Sequence, residues 1–111
     1  NLNARLPEEA IEDFDAALTL APNAASVWHL RAEALGALGQ TQEAARDLAE
    51  ALRLEPRHFI ALQSLSRLQT EAGDAAGALR SMEAALALYP ALPGGAEALR
   101  RLKAAAEGEA L

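Results

Sequence analysis

The chain has 111 residues and a net charge of -6, which allows one domain with one modest core and speaks against a protein that tracks nucleic-acid phosphates. Alanine and leucine supply 29 and 20 residues, against six of isoleucine, valine and threonine together, a composition that argues against a β-sheet fold. The absence of cysteine excludes disulfides and thiolate metal sites, and no apolar run approaches the roughly 20 residues of a membrane span.

Helical spacing dominates from the first turn onward. Phe14, Ala17, Leu18 and Ala21 recur at three, four and seven, on one face of a helix. Trp28, Ala32, Leu35 and Leu38 form a second such face. Asn23, after Pro22, is a candidate cap between them. Gly39-Gln40-Thr41 ends the second helix and offers Thr41 as the cap of the third; Gly73-Asp74 repeats the device with Asp74. Pro93 suits the first turn of a last helix, where its missing N–H costs nothing. The spacing predicts six helices near 8–21, 25–38, 42–55, 59–72, 75–89 and 94–107, with Glu107 to Leu111 fraying. Loops this short make neighbouring helices antiparallel.

The chain also repeats. Pro22, Pro56 and Pro90 stand 34 residues apart. In the same step come Ala10, Ala44 and Ala78; Ala17, Ala51 and Ala85; Phe14, Leu48 and Met82; Leu18, Leu52 and Leu86; and Leu20, Leu54 and Leu88. One helix pair cannot bury its apolar stripe alone, whereas stacked pairs bury a continuous core.

On these residues the sequence resembles the tetratricopeptide repeat (TPR) family, whose 34-residue unit holds two antiparallel helices, A and B. Residues 25–58 carry the pattern through Trp28, Ala32, Leu35, Gly39, Ala44, Leu48, Ala51 and Pro56. Residues 59–92 follow with Leu62, Leu65, Gly73, Ala78, Met82, Ala85 and Pro90. Residues 1–24 match a partial repeat holding only a B helix, and 93–111 a capping helix with a tail. Arg31 stands where a leucine is usual, and Ser66 where Gly or Ala is; the arginine can lay its stem on apolar surface and keep its head wet. In register, Asn1 to Ala4 would end a missing A helix, which predicts a fragment of a longer chain with residues before Asn1.

The resemblance implies an all-α fold, a right-handed α-solenoid of antiparallel helix pairs with about six helices. It places A helices along a concave groove and Trp28 in the core against the preceding B helix, near Phe14. It also implies a non-catalytic scaffold that binds a peptide or protein segment in that groove. The groove residues are His29, Glu33, Ile60, Gln63, Arg67 and Arg101, with Glu33, Arg67 and Arg101 at one register on successive A helices. A Glu33–Arg67 pair that merely solvates the face is an equal alternative to a peptide contact. One subtype is rejected. The clamp that grips chaperone tails needs Asn, Lys and Arg where this chain has Leu30, Ile60 and Ser64. Shifted by one repeat, Glu33 and Ser64 stand where asparagines are needed.

No catalytic, metal or cofactor site is expected. His29 and His58 fall in different repeats without ligand spacing, and Ser26 with His29 would also need an orienting acid and an oxyanion site, so a pair of solvated polar side chains is the plainer reading. Gly94-Gly95 follows no strand and precedes no Gly-Lys-Ser/Thr, so it is not a phosphate loop. The acidic run Glu8, Glu9, Glu12, Asp13, Asp15 lacks the spacing of a calcium loop and suits a helix N-terminus. It leaves residues 1–22 with one arginine against five carboxylates, a gradient able to steer a basic partner. The expected partner is thus a protein or peptide, with no nucleic acid and no membrane span. The alternative is a structural or self-associating segment, a homodimer joined through the open face of the first B helix. Nine arginines against one lysine, with so much alanine, suggest a bacterial chain, soluble in cytoplasm or periplasm.

Overall fold

The computed structural model describes residues 6–110, and the expectation for Asn1 to Ala4 lies outside them. Six helices and no strand occur among the described residues: α1 (Pro7–Leu20), α2 (Ala25–Ala37), α3 (Thr41–Leu54), α4 (Phe59–Glu71), α5 (Ala75–Leu88) and α6 (Gly95–Ala110). The first five agree with the sequence reading to within a residue. The sixth runs three residues further, to Ala110, instead of fraying from Glu107. Ala104 to Glu107 are strong helix formers, and Gly108 costs only about 1 kcal/mol against them.

The chain divides into two compact units between Pro56 and Arg57. In the first, α2 packs on both α1 and α3. Ala32, Ala44 and Ala51 are fully buried and allow close approach, while Leu18, Leu35 and Leu48 fill the space between helices. Several of the repeat series are less buried in their first members, although Leu18 is more buried than Leu52 and Leu86. Ala44, Ala78, Ala51 and Ala85 are fully buried, but Ala10 and Ala17 are half-buried. Leu20 is 88% exposed, where Leu54 and Leu88 are half-buried. Among the described helices of its unit, α1 packs on α2 alone.

In the second unit α5 lies between α4 and α6. Its core is Ala78, Met82, Ala85, Leu92 and Leu102, packed by Phe59, Leu62, Leu86 and Leu99. A polar seam joins α4 to α5. Ser66, almost fully buried, donates to the Ala78 carbonyl at 2.8 Å. Gln69, with its amide nitrogen turned toward α5, donates to Ser81 Oγ at 2.7 Å and to the Gly77 carbonyl at 3.0 Å. A serine at a small-residue position therefore keeps the close packing and adds a bond.

The helix ends follow backbone chemistry more than the expected caps. Gly39 and Gly73 take φ of 79° and 82°, the left-handed region that favours glycine. Behind them Gln40 N donates to the Leu35 carbonyl at 2.9 Å, and Asp74 N to the Gln69 carbonyl at 2.8 Å, which closes both helices. Asp74 is a true cap, accepting from Gly77 N–H at 2.9 Å. Thr41 is instead the first helical residue of α3, with Gln40 before it and no side-chain cap. Ala24, not Asn23, stands at the start of α2. Pro93 lies in the turn before α6 rather than in its first turn. A cap the sequence did not suggest is His58, whose Nδ1 accepts from Ala61 N–H at 3.2 Å.

Candidate functional site

Each unit holds part of the expected groove set. On α2, His29 and Glu33 are one turn apart, with Nε2 and Oε2 3.6 Å from each other. On α4, Ile60, Gln63 and Arg67 follow at three and seven, so they share one stripe. Ile60 is 46% exposed, Gln63 half-buried and Arg67 exposed. Arg67 Nε stands 3.8 Å from Glu71 on its own helix, an exposed pair of the kind that contributes little. Arg101 is exposed on α6, beside the Arg100–Glu97 pair. Near Ile60, Phe59 meets Tyr89 edge to face with ring centres 5.1 Å apart, and Tyr89 is 38% exposed.

A polar network in the first unit centres on Arg31, whose stem the sequence places on apolar surface. The guanidinium does not simply reach water. Its Nε and Nη2 donate to the two oxygens of Asp47 at 2.7 and 2.9 Å, and Nη1 donates to Asp15 at 2.7 Å. One arginine on α2 thus ties α1 to α3. Asp47 is buried, and both its oxygens are satisfied, as a buried carboxylate requires. The hydrogen bond to Asp47 pushes the Arg31 pKa up, against the opposing effect of burial and with further help from Asp15. The same guanidinium lies 4.9 Å from the ring centre of Trp28. Trp28 is half-buried, and its Nε1 donates to the Pro22 carbonyl at 2.9 Å. That bond fixes the indole against the turn between α1 and α2.

Beside this network a cleft of about 320 Å³ opens between α1 and α3, lined by Ile11, Asp15, Arg31, Leu35, Glu43, Arg46 and Asp47. Arg31 and Leu35 are one turn apart on α2, while His29 and Glu33 are displaced by two residues from Arg31 and project from the other side of that helix. The cleft and the expected groove residues of the first unit are therefore on different faces. No group of three or more His, Cys, Asp or Glu suited to a metal occurs among the described residues. Nor is any of their helices long and apolar enough to cross a membrane.

Short helix pairs whose small and large residues recur every 34 positions define a helical-repeat protein. The family model for the tetratricopeptide repeat matches residues 25–58, and the chain belongs to that family, with its all-α fold of helix pairs. A TPR repeat-containing protein of Rhizobium etli is 32% identical over 82 residues, covering 74% of this chain and 40% of the relative. Tetratricopeptide repeat protein 33 of Homo sapiens is 33% identical over 85 residues, covering 77% of this chain and 32% of that protein. The chain thus spans well under half the length of these curated relatives. The fold is similar to that in a crystal structure of MamA, with TM-score 0.88 and 18% identity over 96% of this chain and 58% of the other.

Proposed function

We propose that this chain is a non-catalytic protein-interaction module that binds a peptide or protein segment on its A-type helices, α2, α4 and α6. The observation that carries the reading is the α4 stripe, where exposed Ile60 offers apolar contact and Gln63 and Arg67 offer hydrogen bonds beside it. Within the second unit Arg101 on α6 belongs to the same proposal, and within the first unit, taken by itself, His29 and Glu33 on α2 do. A similar fold, with TM-score 0.86 and 21% identity, occurs in the first TPR of Spaghetti (RPAP3) bound to an HSP90 peptide, which supports peptide capture by this architecture. The missing carboxylate clamp at Leu30, Ile60 and Ser64 directs the proposal toward segments held by other contacts. In this reading residues 1–24 are a partial repeat, 25–58 and 59–92 full repeats, and 93–111 a capping helix.

The test compares the wild-type chain with the Arg67→Glu/Arg101→Glu variant as baits in lysate of the source cell, with far-UV circular dichroism confirming equal helicity. A protein held by wild type and lost from the folded variant supports the groove. Equal capture by both removes these residues from the function. The rival reading, self-association through α1, is favoured by Leu6 and Leu20, which are 56% and 88% exposed. Light scattering across a concentration series decides it, since a mass that stays at one chain excludes pairing.

A further inference from the structure

The geometry points to a second docking surface, the α1/α3 cleft of the first unit, whose occupant is a lysine- or arginine-bearing segment of a partner protein. The cleft has an apolar floor in Ile11 and Leu35, suited to an aliphatic stem. Its internal charges are largely consumed. Asp47 is closed by Arg31, and Asp15 gives one oxygen to the same guanidinium. The Asp15 side chain remains 55% exposed beside that bond. Glu43 stands exposed across from it on α3.

The surrounding charge is also one-sided. Along α1, Glu8 and Glu12 lie one turn before Ile11 and Asp15, on the same side of that helix. The whole net charge of -6 falls on residues 1–56, because residues 57–111 hold equal numbers of acidic and basic side chains. A concave site under such a field concentrates cations. Beside Arg31, which is bound to Asp47 and Asp15, Arg46 is the exposed opposing charge in the lining, and it provides a handle: its neutralisation strengthens the site, whereas that of Glu43 weakens it. The cleft lies on the face of α2 away from His29 and Glu33, so its fate is independent of the A-helix reading.

The experiment titrates the acetylated, amidated tripeptide Leu-Arg-Leu into the isotope-labelled full chain at low salt, with Leu-Gln-Leu as the neutral control. Amide shifts that saturate at Ile11, Leu35 and Glu43 are expected for the cationic peptide only. Glu43→Gln weakens its binding about two- to fivefold and Arg46→Gln strengthens it by a similar factor, the range of a single exposed charge pair. Both side chains are exposed on α3, so neither change disturbs the core. Glu9→Gln removes one charge from another side of α1, so it acts only through the general field and changes the affinity less than Glu43→Gln does. The proposal is overturned if Glu9→Gln acts as Glu43→Gln does, if the neutral peptide binds equally, or if the shifts fall elsewhere on the chain.

Discussion

At the residue scale, the determining interaction is the Arg31 bridge. Removing Asp47 leaves a partly buried guanidinium with Asp15 and limited water as its partners. Asp47→Ala is expected to lower the unfolding free energy by about 2 kcal/mol, less than for a fully buried pair because Arg31 keeps one carboxylate. The double change Arg31→Leu/Asp47→Leu restores most of that stability, since an apolar pair carries no desolvation cost. Urea titration of the three chains checks both statements, and a double variant as weak as Asp47→Ala would refute the second. The bridge was illegible in the sequence for a definite reason. Asp15, Arg31 and Asp47 are 16 residues apart in each step, a spacing with no meaning inside one helix. Only the packing of α1 and α3 on α2 brings them together. Ser66 is similar: its smallness was readable, but its bond to the Ala78 carbonyl depended on how closely α5 approaches. Ser66→Ala keeps the volume nearly constant and loses that bond, so about 1 kcal/mol is expected in the same titration.

At the scale of the element, prolines, glycines and apolar period located all six helices, because these signals are local. The capping residues were read less well. Asp74 acts as its residue type suggests, whereas Thr41 enters α3 as its first residue because the turn closing α2 already takes up Gly39 and Gln40. His58 was passed over because histidine is not among the common caps, yet its Nδ1 has the reach to accept the Ala61 N–H. His58→Ala should therefore cost about 1 kcal/mol in thermal or urea unfolding, while His58→Asp keeps an acceptor and adds a charge suited to a helix N-terminus. If both substitutions destabilise equally, the imidazole is serving packing rather than capping. The groove residues illustrate a different limit. Periodicity could place Ile60, Gln63 and Arg67 on one stripe of α4, but it carries no information about which segment such a stripe accepts.

At the scale of the molecule, the helices within each unit pack on their neighbours in the chain, and the chain divides into two compact units. Stability in such an architecture is close to a sum of local terms, so damage stays near where it is made. Leu48, fully buried on α3, and Met82, buried on α5, occupy the same place in the repeat and make a matched pair of tests. Leu48→Ala or Met82→Ala should each cost about 2–5 kcal/mol, the usual range for truncating a buried large side chain. Hydrogen exchange separates the local from the global outcome. Leu48→Ala is expected to accelerate amides of α2 and α3 well before those of α5 and α6, and Met82→Ala the reverse. Equal acceleration across all six helices in either variant would mean that the chain opens as one cooperative body. The α1 amides supply an internal standard, because their helix packs on α2 alone within its unit and leaves Leu20 exposed. They should exchange fastest in the wild-type chain and respond to Leu48→Ala through α2, whereas α6 should respond to Met82→Ala through the core it shares with α5.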